Sequence, residues 1–143
     1  KEIGESSQDF RVGLVNIESK FEIAGNYWPK MPGSSGSSKA SFAVSASWTD
    51  IFAFIAPFLL EHPNDATLNK ILASSLLERD GKYGQYERIH DQKWKTITVQ
   101  LKAYGLVDAK YTQSTNGKMG LFWSLTKKGE SLMYDLRTIR DDT

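Results

Sequence analysis

Between Asp91 and Tyr104 the chain sets polar side chains at the spacing of one helix face. The run DQKWKTITVQLKAY carries Trp94, Ile97, Thr98, Leu101 and Tyr104 on a common stripe. This predicts an amphipathic helix with Asp91 as its cap and Gly105 as its left-handed stop. Opposite the stripe stand Gln92, Lys95, Thr96, Val99, Lys102 and Ala103, with Gln100 on the flank. Glutamine can pair with adenine through two hydrogen bonds, and lysine can reach guanine or phosphate. Lys118, next to the Asn116-Gly117 pair, is a further cation for a phosphate backbone. So are Lys127 and Lys128, which begin the last helical run and could act together with its first amides. The face has no arginine, the residue best suited to bidentate guanine contact, and only Arg88 lies near its start. Phosphate binding is therefore favoured over base readout. The competing reading is plain solvation, because every surface helix exposes some face and lysine and glutamine are ordinary helix formers.

Catalytic chemistry finds little support. His62 and His90 lack the i, i+4 spacing of a helical metal pair, and Asp141 and Asp142 adjoin each other near the C-terminal end, where fraying is expected. There is no phosphate-cradling glycine motif and no nucleophile elbow, and GKYG at 81–84 is only a loop with two glycines. The expectation is a non-enzymatic chain without metal or cofactor.

At 143 residues, 40% hydrophobic and 24% charged, the chain has the composition of a globular domain able to bury its own core. It has no cysteine, which fits a reducing compartment, with the cytoplasm as the default location. No apolar run approaches the ~18 residues of a membrane span. The first residue is Lys1 rather than Met, which points to a processed or excised chain. The net charge of +1 conceals an asymmetry: residues 82–128 hold nine Lys/Arg against three Asp/Glu, or +6, leaving −5 for the remainder.

Stepping along the chain, FRVGLVNIESKFEIAGNYW at 10–28 contains two β-type runs, with Phe21, Ile23, Gly25 and Tyr27 on one face of the second. ASFAVSASW alternates Ala40, Phe42, Val44, Ala46 and Trp48 with small residues, as a half-buried strand does. The Pro, Gly and Ser stretch between them, including the Gly/Ser loop 32–39, predicts a mobile connection, native or engineered. Ser47 caps a first helix with Trp48, Ile51, Phe52, Ile55 and Leu59 as its stripe, and Pro57 should kink or tighten it. Asn64 or Asp65 starts a second helix that runs to Arg79, followed by the polar loop KYGQYERI. LVDAKYTQ and MGLFWSL form a hairpin around STNGK, with a type I′ turn at Asn116-Gly117. Met119, Leu121, Trp123 and Leu125 should face the helices, leaving Phe122 in need of a cover. Thr126 caps a final helix that returns Leu132, Met133, Leu136 and Ile139 to the core.

Three helices, a two-stranded hairpin and a last helix resemble a winged helix-turn-helix domain, with the hairpin as wing. WSLTKKGESL at 123–132 is similar to the strand-to-helix junction "LTxxG" of winged-helix regulators of the multiple-antibiotic-resistance type. SWTDIFAFIAPFLLEHPND, KTITVQLKAYGLV and MGLFWSLTKKGESLM resemble the C-terminal region of bacterial proteins whose N-terminal part is a TIR-like or deoxyribosyltransferase-like Rossmann domain. The resemblance implies an α+β chain in which a β-element (1–46) precedes a winged-helix domain (47–143). It also implies duplex DNA as partner, with the helix after Asp91 in the major groove. One departure stands against this. Roughly ten residues separate Arg79 from Asp91, where a helix-turn-helix uses three or four. The alternative is a protein-interaction or self-association module with Phe122 on its contact surface, its partner a second copy or a Rossmann-type domain of the same protein. Neither reading involves a membrane.

Overall fold

In the computed structural model, residues 13–30 and 38–141 are described. They form an α+β chain in the order β1 (Lys20–Pro29), β2 (Ala40–Ser47), α1 (Trp48–Leu59), α2 (Asp65–Arg79), β3 (Gly84–Ile89), α3 (Asp91–Ala103), β4 (Val107–Gln113), β5 (Met119–Leu125) and α4 (Lys127–Arg137). β1 is the centre of an antiparallel sheet in the order β2-β1-β3, and β4 and β5 form a separate hairpin.

The first sheet follows from alternation. Ile23 and Tyr27 of β1 and Phe42, Val44 and Ala46 of β2 are buried on one face, while Ser41, Ala43 and Ser45 remain exposed. Its interior face meets α1 and α2, whose Ile51, Phe52, Ile55, Leu59, Leu68, Leu72 and Leu76 are almost fully buried in the same cluster. Each such side chain withdrawn from water stabilises the fold by roughly 1.5–3 kcal/mol.

The helix ends are set by local chemistry. Ser47 Oγ accepts from the amide of Asp50 at 3.0 Å and Asn64 Oδ1 from that of Thr67 at 2.8 Å. Pro57 tightens the end of α1, where the amides of Leu60, Glu61 and His62 bond three residues back to Pro57, Phe58 and Leu59. α3 closes on Gly105 (φ +78), with the amides of Gly105 and Leu106 bonded to the carbonyls of Lys102 and Leu101.

Several expectations are corrected. KYGQYERI is mostly strand, not loop: β3 pairs antiparallel with β1, and the Asn69 side chain holds Ile89 by both backbone groups, at 2.8 and 3.1 Å. Of the first β-type run, residues 13–18 form no strand, and residues 10–12 lie outside the described set. The carbonyls of Ile17 and Ser19 instead accept from the Thr49 and Trp48 amides, satisfying donors that the start of α1 leaves open. The cap position of α3 is His90, which makes no side-chain cap bond; Asp91 is already helical and turns to Arg88.

The hairpin turn is not type I′, because Asn116 does not adopt positive φ. The Gly117 amide bonds to Ser114 O, Gly117 alone in the turn is left-handed (φ +88), and the Ser114 amide bonds to Lys118 O. That is a three-residue connection with a glycine bulge. Met119 is exposed, since the far end of the ribbon runs beyond the helices, whereas Trp123 is buried at its near end. Leu136 and Ile139 do not return to the core: α4 stops at Arg137, Thr138 is extended, and Ile139 is 97% exposed. The expected Gly/Ser loop falls mainly on residues 31–37, outside the described set. No helix among the described residues is long and apolar enough to cross a membrane.

Candidate nucleic-acid interface

α3 is held by its apolar side. Trp94, Ile97, Thr98 and Leu101 are buried, and the indole N–H of Trp94 donates to Asp65 Oδ1 at 2.9 Å. The same oxygen accepts the indole N–H of Trp123 from β5, also at 2.9 Å. One carboxylate at the start of α2 thus ties α3 and the hairpin to a common point. A second tie joins β5 to the α1–α2 connection: Asn64 makes a β-bridge with Phe122, and the Trp123 amide bonds to Pro63 O at 3.0 Å.

Fixing the apolar stripe fixes the opposite face. Gln92, Lys95, Thr96, Val99 and Lys102 are exposed, and Gln100 and Ala103 are half-buried at its flank. The polar row spans about 15 Å from Gln92 to Lys102 at the helical rise per residue. Lys118 is exposed at the loop end of β5, and Lys110 is exposed on β4.

The remaining expected residues sit elsewhere. Lys127 and Lys128 are both exposed at the start of α4, but the Lys128 ammonium donates to Tyr104 O at 2.7 Å, neutralising the carboxyl end of α3. The Gly129 amide is taken by Thr126 Oγ1, so α4 offers fewer open donors than its sequence suggests. Phe122 is half-buried and lines an outer groove of about 670 Å³ with His62, Asn64, Lys110 and Ser124.

The sheet adds groups that helix periodicity did not single out. A cleft of about 330 Å³ at the foot of α3 is lined by Asn26, Lys39, Tyr86, Arg88, His90 and Asp91. Arg88 Nη2 donates to Asp91 Oδ1 at 2.7 Å, and this bond, with the guanidinium charge, holds the Asp91 carboxyl below its ordinary range. These residues come together only because β3 pairs with β1. A strand assignment for GQYERI was the signal needed, and its single buried residue, Ile89, gave no alternation to read.

Among the described residues, no group of three or more His, Cys, Asp or Glu could hold a metal ion. No protein-family model, curated protein or solved structure matches the chain.

Proposed function

We propose that the chain is a winged-helix module, not an enzyme by itself, that binds duplex DNA through α3 and the β4–β5 hairpin within a larger protein. The observation that carries this reading is the double tie of Trp94 and Trp123 to Asp65, which holds an exposed lysine- and glutamine-bearing helix beside an exposed ribbon. The Asn64–Phe122 bridge brings the α1–α2 connection alongside β5 at one residue. The long α2–α3 connection is accounted for by β3, which leaves the helix pair to complete the first sheet. Phosphate contact from Lys95, Lys102 and Lys118 dominates over base reading, as the absence of arginine on the α3 face implies.

The test is the salt dependence of binding to a labelled DNA duplex. Affinity should fall steeply with salt, and Lys95→Ala or Lys118→Ala should weaken binding to all sequences alike, each lowering the salt slope by about 1. Undiminished binding in both variants removes this surface.

A second reading is favoured by the exposed apolar side chains Phe58 and Leu60 at the end of α1 and Tyr134 and Leu136 on α4. They suit a protein contact, with a second copy or a neighbouring domain as partner. That reading expects little affinity for duplex at physiological salt, so the same titration separates the two.

A further inference from the structure

Tyr86 occupies a backbone conformation that suits glycine. Its φ is +57, it is 70% exposed, and it lies in β3 where the pairing with β1 shifts register between Asn26↔Arg88 and Trp28↔Gln85. One extra residue on β3 makes this a β-bulge, and bulges re-aim side chains. A bulky residue at positive φ is an outlier that glycine would relieve. Packing does not explain the tyrosine, because most of its side chain meets solvent. What it faces is the cleft at the foot of α3, with Lys39, Arg88, His90 and Asn26 as the other donors.

These are the groups that hold phosphodiesters: ammonium, guanidinium, imidazole, amide and phenol. The cleft carries two fixed cations, Lys39 and Arg88, against one anion, Asp91. The Asp91 carboxylate already binds one guanidinium nitrogen of Arg88, and the fork geometry of arginine leaves further N–H donors. Resting on the nucleic-acid reading above, we infer that this cleft clamps one backbone phosphate of the duplex beside the start of α3, with Tyr86 as a direct contact and Asp91 as an internal competitor for Arg88. The first sheet is then part of the binding surface as well as a support for it.

The experiment is anisotropy of a labelled DNA duplex with the full chain, over a salt series, for Tyr86→Gly, Lys39→Gln, Asp91→Asn, Lys95→Ala and Lys118→Ala. Tyr86→Gly should keep or raise the thermal midpoint while weakening binding, which separates lost contact from lost fold. Lys39→Gln should weaken binding roughly tenfold and lower the salt slope by about 1. Asp91→Asn should tighten binding by freeing Arg88. Unchanged affinity in Tyr86→Gly and Lys39→Gln, with Lys95→Ala impaired, overturns the cleft and leaves the α3 reading standing. Impaired cleft variants with unaffected Lys95→Ala and Lys118→Ala keep the clamp and overturn the α3 surface. No duplex binding by the unaltered chain overturns both. If inorganic phosphate at constant ionic strength binds the chain in a Tyr86-dependent way while Tyr86→Gly leaves duplex affinity unchanged, the cleft is a free-phosphate site and the clamp is overturned.

Discussion

Asp65 accepts two indole N–H groups on a single oxygen, and its two donors come from elements far apart in sequence. Removing the carboxylate leaves two tryptophans, each about 4% exposed, with no acceptor for a polar group that water barely reaches. Asp65→Ala should therefore cost on the order of 3 kcal/mol, and Asp65→Asn, which keeps an acceptor oxygen, about 1 kcal/mol. Urea midpoints at unchanged m-value measure both, and equal losses would show that the acceptor is not what matters. Asp91 is a different case, because its carboxyl is exposed and is lowered first by the Arg88 hydrogen bond and then by the Arg88 charge, with Lys95 and His90 adding to the effect. A depressed folded-state pKa means that the pair stabilises above the ordinary aspartate range and loses its effect as pH falls through the folded value. An NMR titration should find the Asp91 midpoint below that of a free aspartate and moving up in Arg88→Gln, most clearly at low salt. Neither carboxylate's role could be read from sequence, where both look like helix-start acids.

The junction LTKKG shows what an element-level pattern means physically. Thr126 Oγ1 donates to Gly105 O at 2.6 Å and accepts from the Gly129 amide at 2.9 Å, so one hydroxyl joins the end of α3 to the start of α4. Gly129 is needed for closeness, since a Cβ there would lie 2.0 Å from Leu106 O. Gly129→Ala should push α4 off the α3–β4 connection and cost about 3 kcal/mol, whereas the same replacement at an open helix position stabilises by roughly 0.5–1 kcal/mol. A thermal midpoint within a degree of the parent would refute the close approach. The caps at Ser47 and Thr126, a start of α2 at Asn64 or Asp65, the α1 and α3 stripes and the hairpin were all legible, because each rests on neighbours a few residues apart. β3 was not, because its partners are β1 and the Asn69 side chain, both distant in sequence. The turn was misread for a related reason: Asn116-Gly117 suits type I′, but a longer loop with Asn116 Oδ1 accepting from the Lys118 amide serves as well.

At the scale of the molecule, the two sheets and four helices of the described residues share one buried cluster, and β3 returns the chain from α2 to the N-terminal strands before α3 begins. The winged-helix resemblance implies a boundary between residues 46 and 47. The buried side chains cross that boundary: Ile23, Tyr27, Phe42, Val44 and Ala46 lie in the same cluster as Leu68, Leu72, Leu76 and Ile89. Withdrawing the first five exposes apolar surface worth roughly 6–10 kcal/mol as an upper estimate, comparable with the ~5–15 kcal/mol total stability of a domain this size. β3 would also lose β1, its strand partner among the described residues, leaving the Asn69 side chain to bond the backbone of Ile89. A fragment of residues 47–143 should therefore keep helical far-UV signal but bind a hydrophobic dye and lose its tryptophan near-UV signal, as loosely packed states do. The full chain should unfold in urea in one step, with tryptophan fluorescence and far-UV signal superimposed. A fragment with a dispersed NMR spectrum and the parent's urea midpoint would mean that the β-element only decorates an independent helical unit. The first sheet would then contribute nothing to positioning α3.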